Sequence, residues 1–229
     1  MSDTECRRVM LTTSLRVALQ QHKGDDKAAA LIGQMLDKGI EYIKNMPRGD
    51  ARIKHLYNDV DRVIKDTLDE NSDNKEFPSI SCTRGCAHCC HLYVMCSHEE
   101  ADLIYKEAKK RNIPMSRKRL EYQARFANHE DYFTRFGKRT KCVFLNDKNE
   151  CQIYQYRPIN CRKYYVSSPP EMCLPNAEGK FQSVGSLFIH PVEILASAHM
   201  NMDLIDGLSK EGSNFSLPAR LLERIKRDG

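Results

Sequence analysis

Residues 82–90 read Cys82-Thr83-Arg84-Gly85-Cys86-Ala87-His88-Cys89-Cys90, four thiols in nine positions. Working outward from this knot, Cys142, Cys151, Cys161 and Cys173 follow, so that nine of the ten cysteines fall between positions 82 and 173, eight of them in the knot and this second group. The first residues, Met1-Ser2-Asp3-Thr4-Glu5-Cys6, lack the apolar segment of an export signal. A reducing cytoplasm is therefore the expected location, where clustered thiols hold metal rather than form disulfides.

A metal site needs several thiolates converging on one point. Spacings such as C-x₃-C and C-x₂-C let one tight turn supply two or three, and distant cysteines complete the set. Cys82, Cys86, Cys89, Cys90, Cys142, Cys151, Cys161 and Cys173 are the expected metal ligands. Gly85 suits a turn ahead of Cys86. Side chains of the adjacent pair Cys89-Cys90 diverge, so either they serve two centres or one of them is a spare. Eight thiols suffice for two four-cysteine sites, or for one cluster plus a redox pair. His88 and His91 flank the knot and are available as substitutes for a cysteine. Arg84 and Arg162 stand beside ligands and are candidates for offsetting thiolate charge. The tight run of three cysteines favours an iron–sulfur cluster of the 4Fe–4S kind, with zinc the alternative. Cys6 stands alone, and Cys96 is expected to pack beneath the helix that follows it.

Charged residues make up 29% of the 229 residues and the mean hydropathy is −0.60, with no apolar run long enough to span a membrane. The net charge of +5 is concentrated between Lys106 and Lys141, where 12 Lys and Arg face 4 Asp and Glu. That basic stretch is the candidate surface for nucleic acid or an acidic protein partner. No G-x-S-x-G, P-loop, H-E-x-x-H or dinucleotide glycine motif is present.

The expected fold is mostly α, with a small β-hairpin and a loop-rich cysteine-cluster metal core between helical N-terminal and C-terminal flanks. Residues 1–75 form the helical N-terminal region, with helices over 5–20, 25–46 and 50–70. The last two carry apolar stripes, Ile32, Met35, Leu36, Ile40, Ile43 and Ile53, Leu56, Tyr57, Val60, Ile64, broken at Pro47-Arg48-Gly49. Residues 77–175 form the metal domain. Within it Ser97 and Glu100 make a capping-box pattern ahead of a helix to Arg111. A basic helix is expected over 116–136, and a hairpin over Cys142–Tyr154 with an Asn-Asp-Lys-Asn turn. Tyr154, Tyr156, Tyr164 and Tyr165 are placed to shield a cluster from water. Residues 176–229 are a helical tail.

The order Cys82…Cys86…Cys89-Cys90, then Ser97-x-x-Glu100, then Cys142-Val-Phe-Leu…Cys151-Gln-Ile-Tyr154…Arg157-Pro158…Cys161-Arg162 resembles the CxxCxxCC cysteine-cluster family (YkgJ-type), domains that chelate zinc or iron. The resemblance covers about residues 80–175, and the first spacing has three residues where the family name has two. It implies metal chelation through these cysteines and leaves the reaction, if any, open. A longer branch, the flagellin lysine N-methylases, carries a similar cluster, so an iron–sulfur-dependent protein-modifying enzyme is a second expectation. A nucleic-acid-binding metalloprotein using residues 106–141 is a third.

Overall fold

The computed structural model describes residues 10–21, 23–83, 85–126, 137, 139–210 and 213–228. Among them are eight α-helices and no sheet. They are α1 Thr13–Gln21, α2 Asp26–Lys44, α3 Asp50–Glu70, α4 His98–Lys110, α5 Arg117–Gln123, α6 Ile159–Arg162, α7 His190–Ile205 and α8 Leu217–Asp228. Two compact units form: residues 1–71 with 188–213, and residues 72–187 with 214–229. The C-terminal stretch is thus shared, α7 lying in the first unit and α8 in the second.

In the first unit α1, α2 and α3 all pack against α7. This follows from composition: α7 has apolar residues on every side and no charged face, so it belongs in an interior. It is buried from Val192 to Asp203 except at half-buried Leu195. Its polar residues are satisfied locally. The Thr12 hydroxyl donates to Glu193 Oε2 at 2.5 Å, and the Thr12 amide donates to Ser197 Oγ at 3.1 Å. Asn201 exchanges hydrogen bonds with the Met10 backbone at 3.0 and 2.8 Å. The α2 stripe meets α7 closely at Gly39, where a Cβ would sit 3.1 Å from Ala198 Cβ. A larger residue at 39 would hold the two helices apart.

In the second unit, α4 opens with the expected capping box. Ser97 Oγ accepts the Glu100 amide at 3.1 Å, and Glu100 Oε2 accepts the Ser97 amide at 3.1 Å. α4 and α5 pack on α8 around Cys96, Ile104, Leu120, Phe144, Ile153 and Leu221. Cys96 lies in this core as expected, its thiol donating to the Ser97 carbonyl at 3.4 Å. The backbone ahead of α4 is pinned to that ahead of α8: Cys96 N–H donates to Phe215 O at 2.7 Å and Leu217 N–H to Val94 O at 2.8 Å.

Two expected elements differ. The basic helix stops at Gln123 rather than Phe136, and just past its end Asn214 Nδ2 donates to the Ala124 and Phe126 carbonyls at 2.9 and 3.2 Å. Positions 127–136 lie outside the described residues, as do Cys6 and the start of the helix expected at 5–20. The hairpin over 142–154 is instead a tight turn closed by one bridge, Leu145 to Cys151. Asn146 Oδ1 accepts the amides of Lys148 and Glu150 at 2.9 and 2.8 Å, and Asn149 adopts φ 59°. Strands do not extend from it because Leu145 N–H bonds back to Cys142 O and Tyr154 N–H to Cys151 O, curling each arm at its cysteine.

Candidate metal centre

The knot is built from tight turns. Gly85 sits at φ 89°, a left-handed conformation that glycine reaches without a Cβ clash. Cys86 N–H then donates to Thr83 O at 3.0 Å, and a 3-10 turn over His88–His91 follows, with Cys90 N–H to Ala87 O at 3.0 Å. Four thiols are thereby presented from a few residues. The Cys142 amide donates to the Cys90 carbonyl at 2.8 Å, which ties the second cysteine group to the first. Ser81 is held to Val166 O through both its amide (2.9 Å) and its hydroxyl (3.0 Å), and Val166 N–H points at Cys82 Sγ, 3.4 Å away. The 3-10 turn Pro170–Cys173 packs against the turn His88–His91, carrying Cys173 to the knot.

Cys161 reaches the same region on α6. Arg157 and Pro158 set its start, and the buried Glu100 accepts the Ile159 amide on Oε1 at 2.7 Å. The acid that caps α4 therefore also fixes the turn holding Cys161. Sequence pattern announces the first of these roles and conceals the second.

The thiols bear on one another electrostatically, and Cys89 is felt across both cysteine groups. Cys173 feels Cys86, Cys82 and Cys89, and burial with that repulsion pushes its thiol up to about 11. Burial likewise raises Cys82, which feels Cys89 and Cys86. Burial pushes Cys142 up to about 12, with Cys151 and Cys89 adding repulsion. Burial raises Cys161 well above the ordinary thiol value, helped by Cys89, Cys142 and Cys151. Burial raises Cys151 as well. Cys89 and Cys90 share a hydrogen bond in which Cys90 keeps the proton, which lowers Cys89 and raises Cys90; Cys90 also feels Cys142 and Cys161.

Among the described residues, no three His, Cys, Asp or Glu side chains converge closely enough to cage one ion. The thiols share a neighbourhood rather than a finished coordination sphere. His91 Nδ1 lies 3.2 Å from Gly137 O, and burial lowers its pKa; His88 is half-buried in the same turn. Tyr164 is half-buried, its hydroxyl pushed up to about 12 by burial and by Cys173, Cys89 and Cys82, whereas Tyr154 is 60% exposed. A cavity of about 430 Å³ lies on the outer side of the 142–152 turn, lined by Met115, Arg119, Val143 and Leu145, and no thiol lines it.

Of the two arginines expected to offset thiolate charge, Arg84 lies outside the described residues. Arg162 is buried and donates to the carbonyls of Arg157 (3.0 Å) and Gln155. It braces the 155–162 turn. Arg157 favours the thiolate forms of Cys82, Cys89, Cys151 and Cys161, and Arg119 that of Cys142. The sequence reading missed this role, having used Arg157-Pro158 only as part of the family motif.

Eight free, soft thiols in two adjoining groups fit zinc or an iron–sulfur cluster far better than a hard cation. Residues 81–182 match the family model CxxCxxCC, described as "Putative zinc- or iron-chelating domain". The matched segment spans somewhat less than half of the chain and contains all eight candidate thiols. No curated protein and no solved structure matches the chain. Among the described residues, no helix is long and apolar enough to cross a membrane.

Proposed function

We propose that the chain is a metal-binding protein whose thiols form two metal–thiolate centres. Cys82, Cys86, Cys89 and Cys173 would hold the first, and Cys90, Cys142, Cys151 and Cys161 the second. The contacts that gather the thiols support this reading: the Pro170–Cys173 turn packs on the His88–His91 turn, the Cys142 amide bonds the Cys90 carbonyl, and eight thiols suffice for two tetrathiolate sites. It also accounts for the adjacent pair, with Cys89 turned to one centre and Cys90 to the other. Most of these thiols are protonated at neutral pH without metal, so loading releases protons and draws the sulfurs inward. The run Cys82–Cys86–Cys89 makes iron–sulfur the first reading and zinc the second. Bound metal would supply either a folding staple or an electron-transfer centre.

The test is metal and acid-labile sulfide analysis, with an absorption spectrum, on full-length protein purified without oxygen. Two centres require about two zinc ions per chain, or iron and sulfide in equal number for two clusters. Metal bound at one centre only, unchanged by replacing Cys173 or Cys151 with Ser, would overturn the two-centre assignment. Metal-free protein that takes up neither ion would overturn metal binding itself.

A further inference from the structure

The cavity beside the 142–152 turn lies wholly within the second unit, and the metal reading makes no use of it. Its volume of about 430 Å³ is at the small end of the range for sites that take organic molecules. Buried Val143 and Leu145 form an apolar wall with half-buried Met115. Two of the polar side chains around that wall are used up by the turns that carry them. Asn146 Oδ1 accepts the Lys148 and Glu150 amides at 2.9 and 2.8 Å, and Ser116 Oγ accepts the Arg119 amide at 3.3 Å. Two others keep their capacity. Arg117 faces Glu121 at 2.9 Å, whereas the half-buried Arg119 guanidinium has no carboxylate partner among the described residues. Gln152 is held through its backbone, its amide donating to Phe144 O at 2.9 Å. Its carboxamide, at the cavity, has no hydrogen-bond partner among the described residues. Asp147 also lines the cavity, is exposed, and makes no ion pair with Arg119.

We propose that this cavity binds a small apolar monocarboxylate, its carboxylate on Arg119 and its apolar body against Met115, Val143 and Leu145. A guanidinium is a planar, permanently charged fork that pairs with both oxygens of a carboxylate. The Gln152 carboxamide supplies a further donor to the same group. Apolar ligand surface covers the wall, each buried methylene being worth about fourfold in affinity. The Asp147 carboxylate opposes a second negative charge, which favours a monoanion over a phosphate ester or a dicarboxylate. The site adds a ligand to the metal-binding reading and does not depend on it.

The test titrates full-length protein, labelled at its methionine methyl groups, with hexanoate and follows the Met115 signal, assigned through M115L; calorimetry supplies the affinity. A saturable shift is expected, with a Kd of about 1 mM or lower, the range open to so small a ligand. Butanoate, two methylenes shorter, should bind about tenfold more weakly. Hexanamide has the same size without the charge and should lose about tenfold or more. R119M should lose as much for hexanoate, and R119K, which keeps the charge without the fork, should recover part of it. Melting temperatures of R119M and wild type should agree, since the side chain is only half-buried. Hexanamide binding as tightly as hexanoate would overturn the proposal whether or not R119M folds. So would equal hexanoate affinity in R119M and wild type, or a Met115 signal unmoved at about 10 mM hexanoate, well above the expected Kd. None of these readouts involves the thiols, so the metal reading stands or falls separately.

Discussion

Glu100 is fully buried and serves two backbone donors at once, Ser97 N–H at the start of α4 and Ile159 N–H at the start of α6. Replacing it by alanine strands both. An unsatisfied buried donor costs about 1–3 kcal/mol, so E100A should lose about 2–6 kcal/mol of local stability. The Ile159 side of that cost falls two residues from Cys161. Hydrogen exchange read by mass spectrometry on peptides covering 97–105 and 157–163 separates this local effect from global unfolding. A loss of about 2 kcal/mol corresponds to roughly 30-fold faster exchange in both peptides, since each 1.4 kcal/mol is tenfold. E100Q keeps one acceptor oxygen and should show a smaller change, concentrated at one of the two sites. Acceleration in the 97–105 peptide with none in 157–163 would refute the argument that this acid organises the Cys161 turn.

At Gly39, the helix-propensity gain of about 1 kcal/mol for alanine is opposed by contacts of 3.1 and 3.3 Å with Ala198 and Ile194, so G39A should be near neutral in thermal melts and G39L clearly destabilised. Asp228 is lowered to about 2 by hydrogen bonds from Lys109 and Tyr105. A depressed carboxylate stabilises above its unfolded value and loses that contribution as pH falls through its folded value, so melting temperature should drop between about pH 4 and pH 2, and D228N should flatten that slope. Chelating metal from the loaded protein should raise protease sensitivity within residues 72–187 while α2 and α3 stay resistant; cleavage unchanged in 72–187 would argue against a folding role for the metal. If the basic stretch 106–141 meets nucleic acid, binding of a labelled oligonucleotide should fall steeply with salt and weaken on charge reversal at Arg117, Lys118 and Arg119, and salt-independent binding would remove that reading.

The helices of the first 70 residues were legible because their apolar stripes repeat at 3.6 residues and their ends carry Asp25 and the Pro47–Gly49 break. The capping box was legible because its two residues are close in sequence. α7 reads as a helix, yet nothing in its pattern says that three other helices pack on it; an interior helix has no polar face to show which way it turns. The hairpin misled because alternating apolar arms look extended, whereas short turn bonds at Cys142 and Cys151 curl both. Arg157 was overlooked for a similar reason. Its environment comes from Tyr154, Tyr165 and cysteines up to 75 positions away at Cys82, which only folding assembles. Cys173 lies beyond a Ser-Ser-Pro-Pro loop, and only the packing of its 3-10 turn on the knot brings it near.

The second unit is not continuous in sequence. Its last helix, Leu217–Asp228, closes the apolar face of α4, and its backbone clasps residues 94–96. During synthesis the thiol-bearing segment is therefore complete long before the helix that seals it has emerged from the ribosome. In that interval the segment is a nascent chain with its cysteines accessible and its core unfinished. Metal captured then would have to be held by an open scaffold, whereas metal captured after release meets a closed one. If the thiols take up metal as proposed, the order of synthesis makes the timing of that uptake part of how the fold is completed.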